Sequence, residues 1–144
     1  MEWAALIAWV LTAGGGFILL SIWLSRGGMR QGREGGARIR PPLIISHFLL
    51  AATGLVIWII YIASDSDVLA WIAFVLLAVV AVLGFTMFAI WYQRRQREPQ
   101  VAGASAGGER PAEQHFPVPI VAMHGLLAVT TVVLVFLTAI GVGD

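Results

Sequence analysis

Apolar positions fall in four long runs, Trp3 to Leu24, Leu43 to Ile62, Val68 to Tyr92 and Val118 to Val142, and none of them contains Arg, Lys, Asp or Glu. At a rise of about 1.5 Å per residue, a helix of about twenty residues crosses the roughly 30 Å hydrocarbon core of a bilayer. In such a helix every backbone amide is satisfied within its own segment and no charge is stranded in lipid. The pattern predicts helices over 3–24, 43–62, 68–92 and 118–142, joined by loops 25–42 and 93–117 and a short turn between 63 and 67. The expected fold is all-α: an integral membrane four-helix up-and-down bundle forming one transmembrane domain over 1–144. The first run is long, lacks a basic leader and is preceded by Glu2, so it reads as a retained helix and not as a cleaved signal peptide.

The charges orient this bundle. All nine basic residues are arginines. Arg26, Arg30, Arg33, Arg38 and Arg40 lie in the first loop, and Arg94, Arg95, Arg97 and Arg110 in the third. Glu2, Asp65, Asp67 and Asp144 mark the opposite ends. The positive-inside rule puts the arginine loops in the cytoplasm and both termini outside, in a plasma (inner) membrane. The loops are rich in Gly, Arg, Gln, Glu and Pro, show no apolar period and read as mobile linkers. Trp3 and Trp71, with Trp23, Trp91 and Tyr92 at the other ends, read as interfacial anchors.

Composition narrows the chemistry. With 59% apolar and 12% charged residues, the chain is not a soluble globular domain, for which about a quarter charged is usual. Its 144 residues and zero cysteines leave no room for a separate catalytic head and exclude disulfides, zinc ribbons, thiolate iron–sulfur ligation and covalent c-type haem. Metal chemistry here must use His, Met, carboxylates or backbone. Nothing points to nucleic acid.

The chain also repeats itself. At an offset of 68, Trp3, Gly16, Phe17, Trp23 and Arg26 match Trp71, Gly84, Phe85, Trp91 and Arg94; at an offset of 77, Pro42, His47, Ala51 and Thr53 match Pro119, His124, Ala128 and Thr130. Matched Trp, Gly-Phe, Pro and His positions are informative where matched leucines are not. The reading is two tandem helical hairpins related by a pseudo-two-fold axis along the membrane normal. That symmetry brings His47 and His124 to one depth, about 7 Å inside the cytoplasmic boundary.

An ionisable pair at that depth is a functional candidate. Ala51 and Ala128 follow the histidines at i+4, and Gly16 and Gly84 lie about 12 Å deep. These small residues serve equally for close helix packing or for a slot that admits a flat macrocycle, whose far edge would reach the glycines. The leading expectation is that His47 and His124 are the two axial ligands of one haem b between the second and fourth helices. Its propionates would face Arg38, Arg40 or His115. Two imidazoles saturate the iron, which favours electron transfer. On Pro-x4-His (Pro42 to His47, Pro119 to His124) and the Gly/Ala positions, the chain resembles the membrane-embedded b-type cytochromes, four-helix bundles with inter-helix bis-His haem. The resemblance covers all four helices and implies a cytochrome or cytochrome subunit working with respiratory-complex partners. It departs from two-haem transmembrane cytochromes in having no second histidine pair near the outer face.

Two other readings stand beside it. A copper-handling or oxidase-assembly protein would use His47 and His124 with Met123 or Met87. A cofactor-free accessory subunit would use the small-residue surfaces to pack against larger membrane partners. A stand-alone enzyme is not expected, His115 beside Glu113 reads as a solvated loop histidine, and no polar cluster within the helices supports a quinone site.

Overall fold

A computed structural model describes residues 1–34, 36, 38–101 and 111–142, and the side chains of all of these but 97–101. Arg110, Asp144 and the loop stretch 102–110 lie outside the described residues. The order is α1 (Glu2–Ser25), α2 (Gly28–Arg33), α3 (Pro41–Ser64), α4 (Asp67–Val101), a 3-10 turn (Ala112–His115) and α5 (Val118–Ala139). The described residues are all-helical, and α1, α3, the Asp67–Gln96 part of α4 and α5 are each long and apolar enough to cross a membrane.

Local chemistry sets the helix ends. Glu2 sits in the first turn of α1, where a carboxylate complements the positive end of the helix dipole. Pro41 and Pro42 open α3 at the positions where a missing N–H costs nothing, and Pro119 does the same in α5. Asp65 closes α3 in the left-handed region, φ 52°, and a two-residue turn reverses the chain into α4. Helix α4 continues nine residues past the apolar run, to Val101, because Gln93, Arg94, Arg95 and Gln96 are good helix formers that need no buried face.

The neighbours alternate in direction around the bundle. The Trp58 indole N–H near the end of α3 donates to the Glu2 carbonyl at the start of α1, 3.3 Å away. Thr12 and Gly16 of α1 meet Thr131 and His124 of α5 in reverse order. Helices α1 and α4 each pack against both α3 and α5, whereas the backbones of α3 and α5 stay apart across the bundle. The histidine-bearing helices are therefore diagonal partners.

Three levels stack along the axis. At the end away from the arginines, Ala5, Trp9, Trp58, Tyr61, Ala70, Ala73, Leu77 and Val135 form the apolar core. Trp58 is fully buried, 6.4 Å from Trp9 and 4.8 Å from Tyr61 by ring centroids. Gly54 admits the Trp9 ring, whose edge would lie 3.0 Å from an added Cβ. The histidines occupy the middle. A cap of α2, Ile39 and the 3-10 turn closes the other end. Large apolar side chains elsewhere point outward: Val68, Val82, Phe85 and Leu126 are 63–70% exposed, a surface that water does not favour.

The cap departs from the reading of the first loop as a mobile linker, since Gly28–Arg33 forms α2. Gly27, at φ 75°, reverses the chain so that α2 folds back on Trp23. Buried Gln31 accepts from the Ala112 N–H at 2.8 Å, and Glu113 accepts from the Arg38 N–H at 3.1 Å. These contacts join segments about 80 residues apart, a pairing that no local pattern announces. Trp23 and Trp91 are likewise buried, at 1% and 6% exposure, while Trp3, Trp71 and Tyr92 are exposed, so only the latter three suit an interfacial position. A Cβ on Gly28 would fall 2.2 Å from the Trp23 ring, and a buried indole yields little. Gly28→Ala should therefore destabilise the cap by about 1–3 kcal/mol through overpacking. Faster tryptic cleavage at the first-loop arginines, with helix content unchanged, is the expected readout.

Candidate functional site

His47 is in the second turn of α3 and His124 in the second turn of α5, each following a proline-led helix start. Both side chains turn toward the bundle axis, and their ring centroids are 6.4 Å apart with planes inclined at 61°. Each ring is anchored from behind. The His47 Nδ1–H donates to the Val80 carbonyl of α4 at 3.0 Å, and the His124 Nδ1–H donates to the Thr12 carbonyl of α1 at 2.9 Å. A carbonyl only accepts, so it fixes the proton on Nδ1. In a neutral ring that leaves the Nε2 lone pair available to a ligand-seeking atom.

The glycines lie against these rings. A Cβ on Gly84 would come within 3.2 Å of His47 Cε1, and one on Gly16 within 3.1 Å of His124 Cε1. Both separations are tighter than ordinary van der Waals contact, so the missing side chains let each imidazole lie close against the neighbouring helix. A Cβ on Gly15 would lie 3.4 Å from the His124 Cβ, an ordinary contact. The two environments match at the sequence offsets: Thr12 with Val80 and Gly16 with Gly84 at 68, His47 with His124 at 77. Each histidine leans on a helix of the other proposed hairpin, α3 on α4 and α5 on α1.

The match breaks at one place. The Thr131 hydroxyl, 1% exposed, meets the Thr12 hydroxyl at 3.1 Å, while the equivalent pair is Gly54 and Val80. The His124 side of the pair is thus more polar than the His47 side.

The other expected residues are placed as follows. Ala51 and Ala128 are half-buried one turn beyond their histidines. Arg38 and Arg40 are exposed at the foot of α3, with the Arg38 backbone tied to Glu113. Met123 is 57% exposed and faces away from the histidine pair, and Met87 is half-buried. The expectation of a solvated loop His115 is corrected in part: the residue is half-buried with its Nδ1 enclosed, and its neighbour Glu113 is 1% exposed, the 3-10 turn being tied to Gln31 through the Ala112 N–H. Among the described residues no group of three or more His, Cys, Asp or Glu comes together.

Sequence reasoning found the histidines and the glycines but missed Thr12, Val80, Thr131, Trp23 and Gln31. The first two act through carbonyls, which have no side-chain signature; the repeat offset pairs them but gives no role. Compared with family models, curated proteins and solved structures, the chain matches none.

Proposed function

We propose that the chain is an integral membrane cytochrome, or a cytochrome subunit, in which His47 and His124 ligate one haem b between diagonal helices of two tandem hairpins. One observation carries this reading: two imidazoles facing across the bundle axis at 6.4 Å, each with its Nδ1 proton committed to a carbonyl. His47 and His124 would hold the iron of such a group through Nε2, the nitrogen left free by each Nδ1 bond. The donor set fits the group. Two protein ligands leave a bare ion under-coordinated, whereas haem brings four nitrogens of its own.

In this reading Val80 and Thr12 orient the imidazoles and raise their basicity through the Nδ1 bonds. Gly84 and Gly16 set how closely each ring approaches its helix. Ala51 and Ala128 keep the next turn narrow. A haem bound there would supply one-electron transfer. The outward apolar surface supports insertion in the bilayer, and the arginines gathered at one end support a cytoplasmic orientation for that end, with both termini outside. The size of the chain and its apolar exterior suit a place beside other subunits of a respiratory membrane complex.

Absorption of the purified full chain, produced with ample haem precursor, tests the reading. A Soret band with sharp reduced α and β bands at one haem per chain is the expected result. A colourless preparation overturns it, and bound copper in place of iron would assign the pair to metal handling instead.

A further inference from the structure

The two flanks of the bundle beside the histidines are built differently. Between α1 and α3, Phe17 and Phe48 meet edge to face with ring centroids 5.5 Å apart, next in sequence to Gly16 and His47. That ring pair closes the flank at the depth of the imidazoles. Between α4 and α5 the matching positions, at the offsets of 68 and 77, are Phe85 and Gly125. One turn earlier on α5, Ala122 stands where α3 carries Ile45. The flank beside His124 therefore lacks the bulk that shuts the flank beside His47.

The packing of α4 on α5 sets Phe85 and Gly125 opposite each other without appeal to the repeat. Phe74 and Phe136 meet across these helices at the level of the apolar core, centroids 5.1 Å apart. A step of eleven residues, as from Phe74 to Phe85 or from Phe136 back to Gly125, is about three helical turns and stays on one face. Because the helices run in opposite directions, both steps lead toward the arginine end and finish level. There the contact stops. A Cβ added at Gly125 would meet nothing within 4 Å among the described residues, and Phe85 is 63% exposed.

The other ways to the imidazoles are shut. The Trp9, Trp58 and Tyr61 core fills one end of the bundle, and the cap of α2, Ile39 and the 3-10 turn covers the other. Gly16 brings α1 against the His124 ring, and Gly84 brings α4 against the His47 ring. The surface around the remaining flank is apolar and exposed, with Val82, Leu126 and Val129 beside Phe85, so in a bilayer it meets hydrocarbon and not water. We infer that the histidine pair is reached sideways from the bilayer, between α4 and α5, by a flat apolar macrocycle passing Gly125 and Ala122. The identity of what enters rests on the haem reading; the opening itself rests on the two flanks.

Gly125→Phe tests the route, because it sets on this flank the ring pair that closes the other, at a position with room for a side chain. The full chain, stripped of haem and held in nanodiscs of uncharged lipid, is mixed with haem-loaded vesicles of the same lipid, and uptake is followed by the Soret band. Gly125→Phe should slow uptake several-fold and still reach the parent's final haem content and band positions. Gly14→Phe, at a glycine of α1 with equally open space, should take up haem at the parent rate. Parent-rate uptake by Gly125→Phe, equal slowing by Gly14→Phe, or loss of final haem content in Gly125→Phe overturns the inference, the last because it puts Gly125 in the seat and not on the path. Where no chain takes up haem, the haem reading fails, and diethyl pyrocarbonate, a small uncharged reagent for imidazole, decides on the opening. Mass spectrometry should then show His47 and His124 protected several-fold in Gly125→Phe, with His115 of the cap modified as in the parent. Unchanged modification of the pair overturns the inference.

Discussion

Replacing His47 or His124 with alanine should abolish the bis-imidazole spectrum, and each single change should be as damaging as both together. Loss of an orienting partner behind a metal-bound histidine already costs about 10–100-fold in metal affinity, and loss of the ligand itself removes the bond being oriented. The structure adds a second reason. The rings face each other from diagonal helices whose backbones do not touch, so nothing else on α3 is placed to substitute for His47, or on α5 for His124. Helix content should persist, because the Trp9, Trp58 and Tyr61 core lies at another level. Glycine in place of either histidine, with free imidazole added, should restore the bands; a purely packing role would not respond to imidazole. Retention of haem at parent stoichiometry in both alanine variants would remove the site from these residues.

Leucine at Gly84 or Gly16 should have the next largest effect. An added Cβ would already lie 3.2 or 3.1 Å from the imidazole Cε1, and the branched remainder of leucine would claim the space the ring occupies. Overpacking of this kind costs about 1–3 kcal/mol. Felt at the ligand, that is roughly 5–150-fold in haem retention. The ring cannot retreat cheaply, because its Nδ1–H is held by Val80 or Thr12. Haem content after competition with an excess of a haem-binding protein measures the loss. Alanine at the same positions should give a smaller loss, and leucine at Gly14, which has nothing within 4 Å of an added Cβ, should give none. If Gly14→Leu and Gly84→Leu behave alike, the glycines are not seats for the histidines.

The four apolar helices were legible because lipid-scale hydrophobicity is written in consecutive letters, and the ends were legible where Pro41, Pro42 and Pro119 mark them. The histidine pair was legible through the repeat, since a polar residue twice at the same place in apolar helices stands out. The role of Gly16 and Gly84 was not. From sequence they sit at the depth of a macrocycle edge, whereas in the fold they lie against the rings of the histidines, and that contact depends on how α1 meets α5 and α4 meets α3. The inner cap was illegible for a different reason. A six-residue helix such as α2 is too short to show a period, and the burial of Glu113 is produced by Gln31 and Arg38, far away in sequence, through backbone groups as well as side chains. Trp23 and Trp91 looked like membrane anchors by position alone, and only the fold shows them buried, Trp23 against Gly28 of α2.

The crossed support of the two histidines, His47 on α4 and His124 on α1, makes the two halves of the chain mutually dependent. Severed in the turn at Asp65 and Ser66, the fragments 1–65 and 66–144 each hold one imidazole whose N–H acceptor resides on the other. Neither alone can finish its own pocket. Co-expressed, they should find each other and restore both Nδ1 contacts, with colour recovered as well where the haem proposal holds.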